Sequence, residues 1–123
     1  MVKLINISND GDVAVRSIPF KSIALEVLQI LLQLIPMGHV TTYKALADLM
    51  GVHPRYVGVL IRGNKSPIVV PCHRVVKSDG SLGGYTFNGL SNVEFKRKVL
   101  EVEGVRVVNR RVPKEYILSK LIN

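Results

Sequence analysis

Two helix signals stand back to back between Thr41 and Gly63, and the short stretch between them forces a sharp reversal of the chain. Thr41 or Thr42 is placed to cap a short helix, Tyr43 to Met50, which stops at Gly51 because glycine takes the left-handed conformation that closes a helix. Pro54 suits the first turn of a second helix that runs to about Gly63. Ala47, Gly51 and Val57 hold the spacing of a helix-turn-helix: a small residue where helices touch, a glycine in the turn and an apolar residue on the second helix. Other helical hairpins share this spacing, but the second helix also carries Arg55 and Arg62.

The flanking segments are expected to pack on that pair. Val2 to Ser8 and Val13 to Pro19 read as strands joined by Asn9-Asp10-Gly11-Asp12, a turn that Asp-Gly favours. Ser22 is a plausible N-cap for a helix that ends at Pro36, with Leu25, Leu28, Leu32 and Ile35 as its core stripe. Ile68-Val69-Val70 is β-like, and Lys77 to Gly84 is a turn with a glycine-rich loop. Ser91 and Glu94 form a capping box for a helix running to Glu103, with Gly104 at its end. Val105 to Val108 then reads as a strand and Lys114 to Ile122 as a closing helix.

The chain's 123 residues, 47% of them hydrophobic and 21% charged, fit one folded domain and exclude a low-complexity chain. The formal charge of +8 favours an anionic partner such as nucleic acid. No acidic residue falls between Asp48 and Asp79, whereas Arg55, Arg62, Lys65, Arg74 and Lys77 all do. A solvated basic face accounts for this as readily as a nucleic-acid surface does.

The same interval holds Cys72, the chain's one cysteine, in Pro71-Cys72-His73-Arg74-Val75-Val76. A lone cysteine excludes an internal disulfide, and with no C-x-x-C pair neither a metal site nor a cofactor is expected. A reducing, cytoplasmic setting follows. The apolar stretch Ile23 to Ile35 contains Glu26, Gln29 and Gln33, so it is too short and too polar to span a bilayer, and no membrane association is expected. A thiol becomes nucleophilic when a base or positive charge favours the thiolate, and His73 and Arg74 offer both. A buried, inert cysteine beside a surface histidine is the plainer alternative.

The run from Ile35 to Gly104 resembles the C-terminal domain of the O6-alkylguanine-DNA alkyltransferases, also called methylated-DNA-protein-cysteine methyltransferases. The matching stretches are Ile35-Pro36-x-Gly38, Thr42-Tyr43-x-x-Leu46-Ala47, Arg55-x-Val57-Gly58, Arg62-Gly63-Asn64, the Pro71 to Val76 run, Gly80 with Gly84-Tyr85, and Glu103-Gly104. The resemblance implies a mainly α, winged-helix-like helix-turn-helix DNA-binding domain with short strands. Residues 21–123 would form that catalytic domain and residues 1–20 a small N-terminal β-hairpin extension, in place of the α/β domain that most members carry.

It further implies that Cys72 takes the alkyl group from O6 of a damaged guanine, irreversibly and once per molecule. His73 would be the general base, acting through a water, with Glu103 orienting it and Asn64 bracing the turn. Tyr43 and Arg55 would manage base flipping, Arg55 filling the vacated space and Tyr43 donating to guanine N3. Gly58, Arg62, Gly63 and Arg74 would meet the DNA, and Tyr56, a departure from the family pattern, adds either a stacking surface against DNA or an extra core contact. The pocket would use the backbone carbonyls of Cys72 and Val75, Tyr85 as a wall and the backbone of Thr86. Lys96 matches a family lysine near the pocket but reads as lying on a solvated helix.

The partner so implied is double-stranded DNA containing O6-alkylguanine, bound through the minor groove by a monomer. The segment Tyr85 to Asn92 is longer than the family's usual bend, and Tyr56 stands where an alanine is usual. Alkyl transfer rests on a Cys72 that is solvent-reachable at the base of a pocket beside the second helix. The competing readings are a lesion-binding protein without chemistry, which would lack the acceptor cysteine, a helix-turn-helix regulator and a Cys-His hydrolase.

Overall fold

The computed structural model describes residues 2–7, 13–18, 23–63, 69–84, 86–87 and 90–121. The molecule is helix-rich with a small parallel sheet. Strands β1 (Val2–Ile7) and β2 (Val13–Ile18) pair antiparallel from Val2↔Ile18 to Ile7↔Val13. The Asn9 to Asp12 turn expected between them, and Ser22 as a helix cap, lie outside the described residues.

Helix α1 (Ala24–Leu32) ends before Pro36, because the amides of Gln33, Leu34 and Ile35 bond to the carbonyls of Ile30, Leu31 and Leu32 in a tightened last turn. Its Leu28 and Leu32, with Ile35 beyond it, are buried as the stripe predicts. Leu25 is only half-buried.

Strand β3 (Val40–Thr42) leads directly into α2 (Tyr43–Met50), whose cap is the Thr42 hydroxyl accepting the Ala45 amide at 3.0 Å. Gly51 closes α2 at φ +70°, and α3 (Pro54–Arg62) starts after His53, whose Nδ1 accepts the Arg55 amide at 3.0 Å. Ala47 and Val57, expected at the contact of the two helices, are both buried. They join Leu28, Leu32, Ile35, Leu46, Cys72 and Val75 in one core cluster shared by α1, α2 and α3.

The sheet has β3 at its centre, flanked by β4 (Val75–Val76) and β7 (Ile117–Leu118), both parallel to it. Thr41 pairs with Val75 on one side and Leu118 on the other, and its hydroxyl donates to the Leu118 carbonyl at 2.8 Å. A short antiparallel pair follows, β5 (Thr86–Phe87) with β6 (Leu90–Ser91), and then α4 (Val93–Val102). Val40, Val76, Leu82, Leu100, Val105 and Val112 form a second cluster beside the first.

Three expectations are corrected. The cap of α4 is Asn92, whose side chain accepts the Phe95 amide at 2.9 Å, while Ser91 is taken up by β6. Val105 to Val108 is not a strand: Val108 only bridges Arg111 across Asn109 and Arg110, which turn at positive φ. The described part of the expected helix Lys114 to Ile122, residues 114–121, is not helical, because after a 3₁₀ turn at Lys114–Tyr116 the chain is drawn into pairing with β3. Partners distant in sequence override local propensity there.

In the glycine-rich loop, Gly80 has φ +87° and a Cβ would stand 2.6 Å from the Val112 carbonyl oxygen, so only glycine lets the loop seat there. Among the described residues, no helix is long and apolar enough to cross a membrane.

Candidate functional site

Register places the cysteine. β3 and β4 pair in parallel, Thr41 with Val75, so the 3₁₀ turn Cys72–Arg74 enters β4 at the end where β3 begins, and Tyr43, which starts α2 beyond the other end, reaches the cysteine's surroundings by packing on the core cluster that holds Cys72. Cys72 sits in the first core cluster and keeps only 3% of its surface. The expected solvent-reachable thiol is therefore not found in this conformation: packing against the helical core covers it.

His73 is fully buried, at 0% exposure, and its Nε2 lies 2.9 Å from Glu103 Oε1. A carboxylate accepts but cannot donate, so Nε2 carries the proton and donates. Nδ1 is then the basic nitrogen, and it is buried without a hydrogen-bond partner. Burial lowers the His73 pKa, against the opposing pull of the Glu103 hydrogen bond and charge, and so favours the neutral ring.

Glu103 has a second duty. Arg74 donates to it from Nε at 3.0 Å and from Nη2 at 2.7 Å, while Nη1 donates to the Ile35 carbonyl at 2.8 Å. Burial opposes ionisation of Glu103, but the hydrogen bonds from Arg74 and His73 outweigh it and hold the carboxyl below its ordinary range. The expectation that Arg74 meets DNA is corrected: each of its three guanidinium nitrogens donates inside the protein and its side chain is only 12% exposed. A fork this well matched to a carboxylate gains more from Glu103 than from a solvated phosphate contact.

Lys96 is corrected as well. It is not on a solvated face but fully buried on α4, donating from Nζ to the carbonyls of Val75, at 2.7 Å, and Leu82. Burial pulls its pKa down to about 8, and the nearby Cys72 pulls the other way. One of the two carbonyls expected to receive the guanine amine, that of Val75, thus already accepts a hydrogen bond.

α2, α3 and the turn at Lys77 border an open cleft whose lining includes Tyr43, Asp48, Arg55, Gly58, Arg62 and Lys77 but not Cys72. Arg55, Arg62 and Lys77 are exposed, and a Cβ at Gly58 would meet nothing, so that wall is open. Tyr43 belongs to both regions: it lines the cleft, and its pKa is raised first by burial and then by the neighbouring Cys72, with Arg62 opposing. It therefore keeps its proton and can donate. Tyr56 is half-buried and Gly63 closes α3. Asn64 and Tyr85 lie outside the described residues, and Thr86 is described only as part of β5. Among the described residues no group of His, Cys, Asp and Glu is placed to hold a metal.

Known proteins resemble this chain over much of its length. Residues 22–105 match the family model described as the DNA binding domain of 6-O-methylguanine DNA methyltransferase. A Pyrobaculum aerophilum protein named methylated-DNA-protein-cysteine methyltransferase is 56% identical over 70 residues, covering 57% of this chain and 45% of its own. The Mycobacterium tuberculosis OGT structure in complex with DNA superposes with a TM-score of 0.59 at 34% identity, over 72% of this chain and 51% of that one. In fold alone, S. pombe Atl1, solved with damaged DNA containing O6-carboxymethylguanine, gives a TM-score of 0.67 at 24% identity over 82% of this chain and 98% of its own. The chain spans about half the length of the curated relatives it matches. With the match extending over most of its length, this chain belongs to the family of the 6-O-methylguanine DNA methyltransferase DNA-binding domain.

Proposed function

We propose that the protein is a single-turnover DNA repair transferase that moves the alkyl group from O6-alkylguanine in DNA to Cys72. The observation that carries this reading is that Tyr43 both packs on the core cluster holding Cys72 and lines the basic cleft, while His73, next to Cys72 in the chain, is bonded to Glu103 and favoured in its neutral form. The curated relatives named methyltransferases support it. Residues 21–123 act as one winged-helix-like helix-turn-helix unit, with 1–20 as an extension.

In this mechanism α3 enters the minor groove of duplex DNA as a monomer, and the lesion is flipped because a stacked base cannot reach the thiol. Arg55 fills the gap, and Arg62, Tyr56, Gly58 and Gly63 face the backbone. Asn64 braces the turn, while Tyr85 and Thr86 border the base. His73 Nδ1 takes the thiol proton through a water. The sulfur then attacks the alkyl carbon, the S–C bond forms, and the C–O6 bond breaks. Its electron pair goes to the guanine, which Tyr43 steadies by donating to N3. The low exposure of Cys72 makes opening of the thiol's cover a part of lesion binding. The reaction proceeds inside the cell, where the thiol stays reduced.

The test is the intact mass of the protein after incubation with a duplex carrying one O6-methylguanine. The wild type should gain one methylene unit and a Cys72→Ala variant none. Tight binding without mass gain would instead make it a lesion-binding protein. Neither binding nor gain would end the reading, and sequence-selective binding of undamaged DNA would point to a regulator.

Replacing Arg55 by Ala should slow repair of the duplex about 30-fold, since losing ~2 kcal/mol of support for a flipped base has that effect. Reaction with the free methylated base should stay within about twofold. Equal losses on both substrates would remove the flipping role.

A further inference from the structure

Arg55 is a cation placed where a helix does not favour one. It is the second residue of α3 (Pro54–Arg62), whose first turn carries no acidic side chain, and the partial positive charge at a helix N-terminus disfavours an arginine there. Arg55 is exposed, and among the described residues its guanidinium is in no ion pair. The carboxylate in the cleft lining, Asp48, is bound to Lys44 at 3.0 Å. Helix polarity and neighbours thus leave the guanidinium to a ligand.

A helix N-terminus ordinarily meets an anion with its free amides. Those at residues 54–57 are already used. Pro54 has no N–H. The Arg55 amide donates to His53 Nδ1 at 3.0 Å, and the amides of Tyr56 and Val57 donate to the His53 carbonyl at 2.9 and 3.4 Å. One residue therefore receives every N–H of that turn. Accepting at Nδ1 takes the ring's lone pair, so the proton of the neutral ring is on Nε2. An anion arriving at this end of α3 has the Arg55 side chain to meet, and not the main chain.

We propose that His53 is the positioning residue of Arg55: capping α3 from Nδ1, it fixes the turn from which the arginine enters the duplex. The inference deepens the alkyl-transfer reading and rests on its placing of Arg55 in the space left by the flipped base. His53 is exposed but is not part of the cleft lining, so it acts through the Arg55 backbone. Without the cap the first turn frays, and the arginine has to be ordered at the moment the base leaves the stack.

The test is a double-mutant cycle on the whole chain, read as single-turnover transfer from a duplex carrying one O6-methylguanine. His53→Ala should slow duplex repair about fivefold, the rate equivalent of the ~1 kcal/mol an N-cap is worth, and leave reaction with the free methylated base within about twofold. His53→Asn, whose side-chain oxygen caps well, should bring the duplex rate back to within about twofold of the wild type. Arg55→Ala keeps the amide and hence the cap, so adding His53→Ala to it should slow repair by less than about twofold more. Equal losses in both backgrounds, or no loss of duplex repair in His53→Ala, would overturn the proposal and leave His53 a structural cap alone.

Urea unfolding checks that the cap has been removed, since His53→Ala should lower stability alike in both backgrounds. Unchanged stability would mean that no cap forms in solution, and would overturn the proposal too. A wild type that binds the lesion duplex and gains no mass would sink the alkyl-transfer reading and not this one. The same cycle is then read as affinity for that duplex, where losses that simply add would overturn the role of His53. Neither binding nor mass gain would end both.

Discussion

Glu103→Gln is expected to slow alkyl transfer about 100-fold and to cost about 3 kcal/mol of stability, while DNA affinity changes little. The carboxylate accepts from His73 Nε2 and from both Nε and Nη2 of Arg74. A glutamine offers one acceptor oxygen and an NH₂ that faces existing donors. Either His73 loses the partner that fixes its tautomer, or Arg74, 12% exposed, keeps a positive charge with no carboxylate. The first outcome takes the lone pair away from the thiol side, and the second leaves a buried charge unpaired. Arg55, Arg62 and Lys77 belong to the cleft and not to this network, so binding is spared.

Single-turnover rates with a lesion duplex and urea unfolding would measure the two losses. An unchanged rate would remove His73 from the role of base. Acid adds a check. Glu103 has a folded pKa below its ordinary 4.5, so its contribution is present above that value and lost as pH falls through the folded one. His73, lowered from 6.5, acts in the same direction, its stability present above 6.5 and lost as pH falls through its own folded value. The wild type should lose stability on both counts, and Glu103→Gln only on the second.

Much of this geometry was legible in the chain because its signals are local. Thr42, Gly51 and Pro54 act within a few residues of themselves, and α2 and α3 follow their expected bounds closely. His53 as a cap escaped notice because histidine seldom serves as one. The C-terminal segment misled for the opposite reason: Ile117 and Leu118 are strand only because Val40 and Thr41 lie far upstream to pair with them.

The site itself was legible in part. His73 and Glu103 meet as the resemblance implies. Arg74 and Lys96 were read outward because charge was taken as a sign of solvent, and for both the burial comes from partners remote in sequence: Glu103 and Ile35 for one, Val75 and Leu82 for the other. A signal for Lys96 was present. It falls three residues after Val93 and four before Leu100, on the apolar stripe of α4, where only a functional or structural need retains a charge.

The alkylated protein should melt about 4–12 °C below the unmodified one. Cys72 lies among Leu28, Leu46, Val57 and Val75, with 3% of its surface free. A methyl added at sulfur enlarges a packed side chain, and such overpacking costs ~1–3 kcal/mol, at roughly 4 °C for each in a chain of this size. Larger groups should cost more, because Val57 ties the thiol's surroundings to α3. Calorimetry on protein reacted to completion with lesion duplex and then freed of DNA measures the shift. An unchanged melting temperature would mean that the alkyl group lodges in the cleft beyond Tyr43 without disturbing the core, and the thiol's cover would then have to be a gate that stays open after transfer.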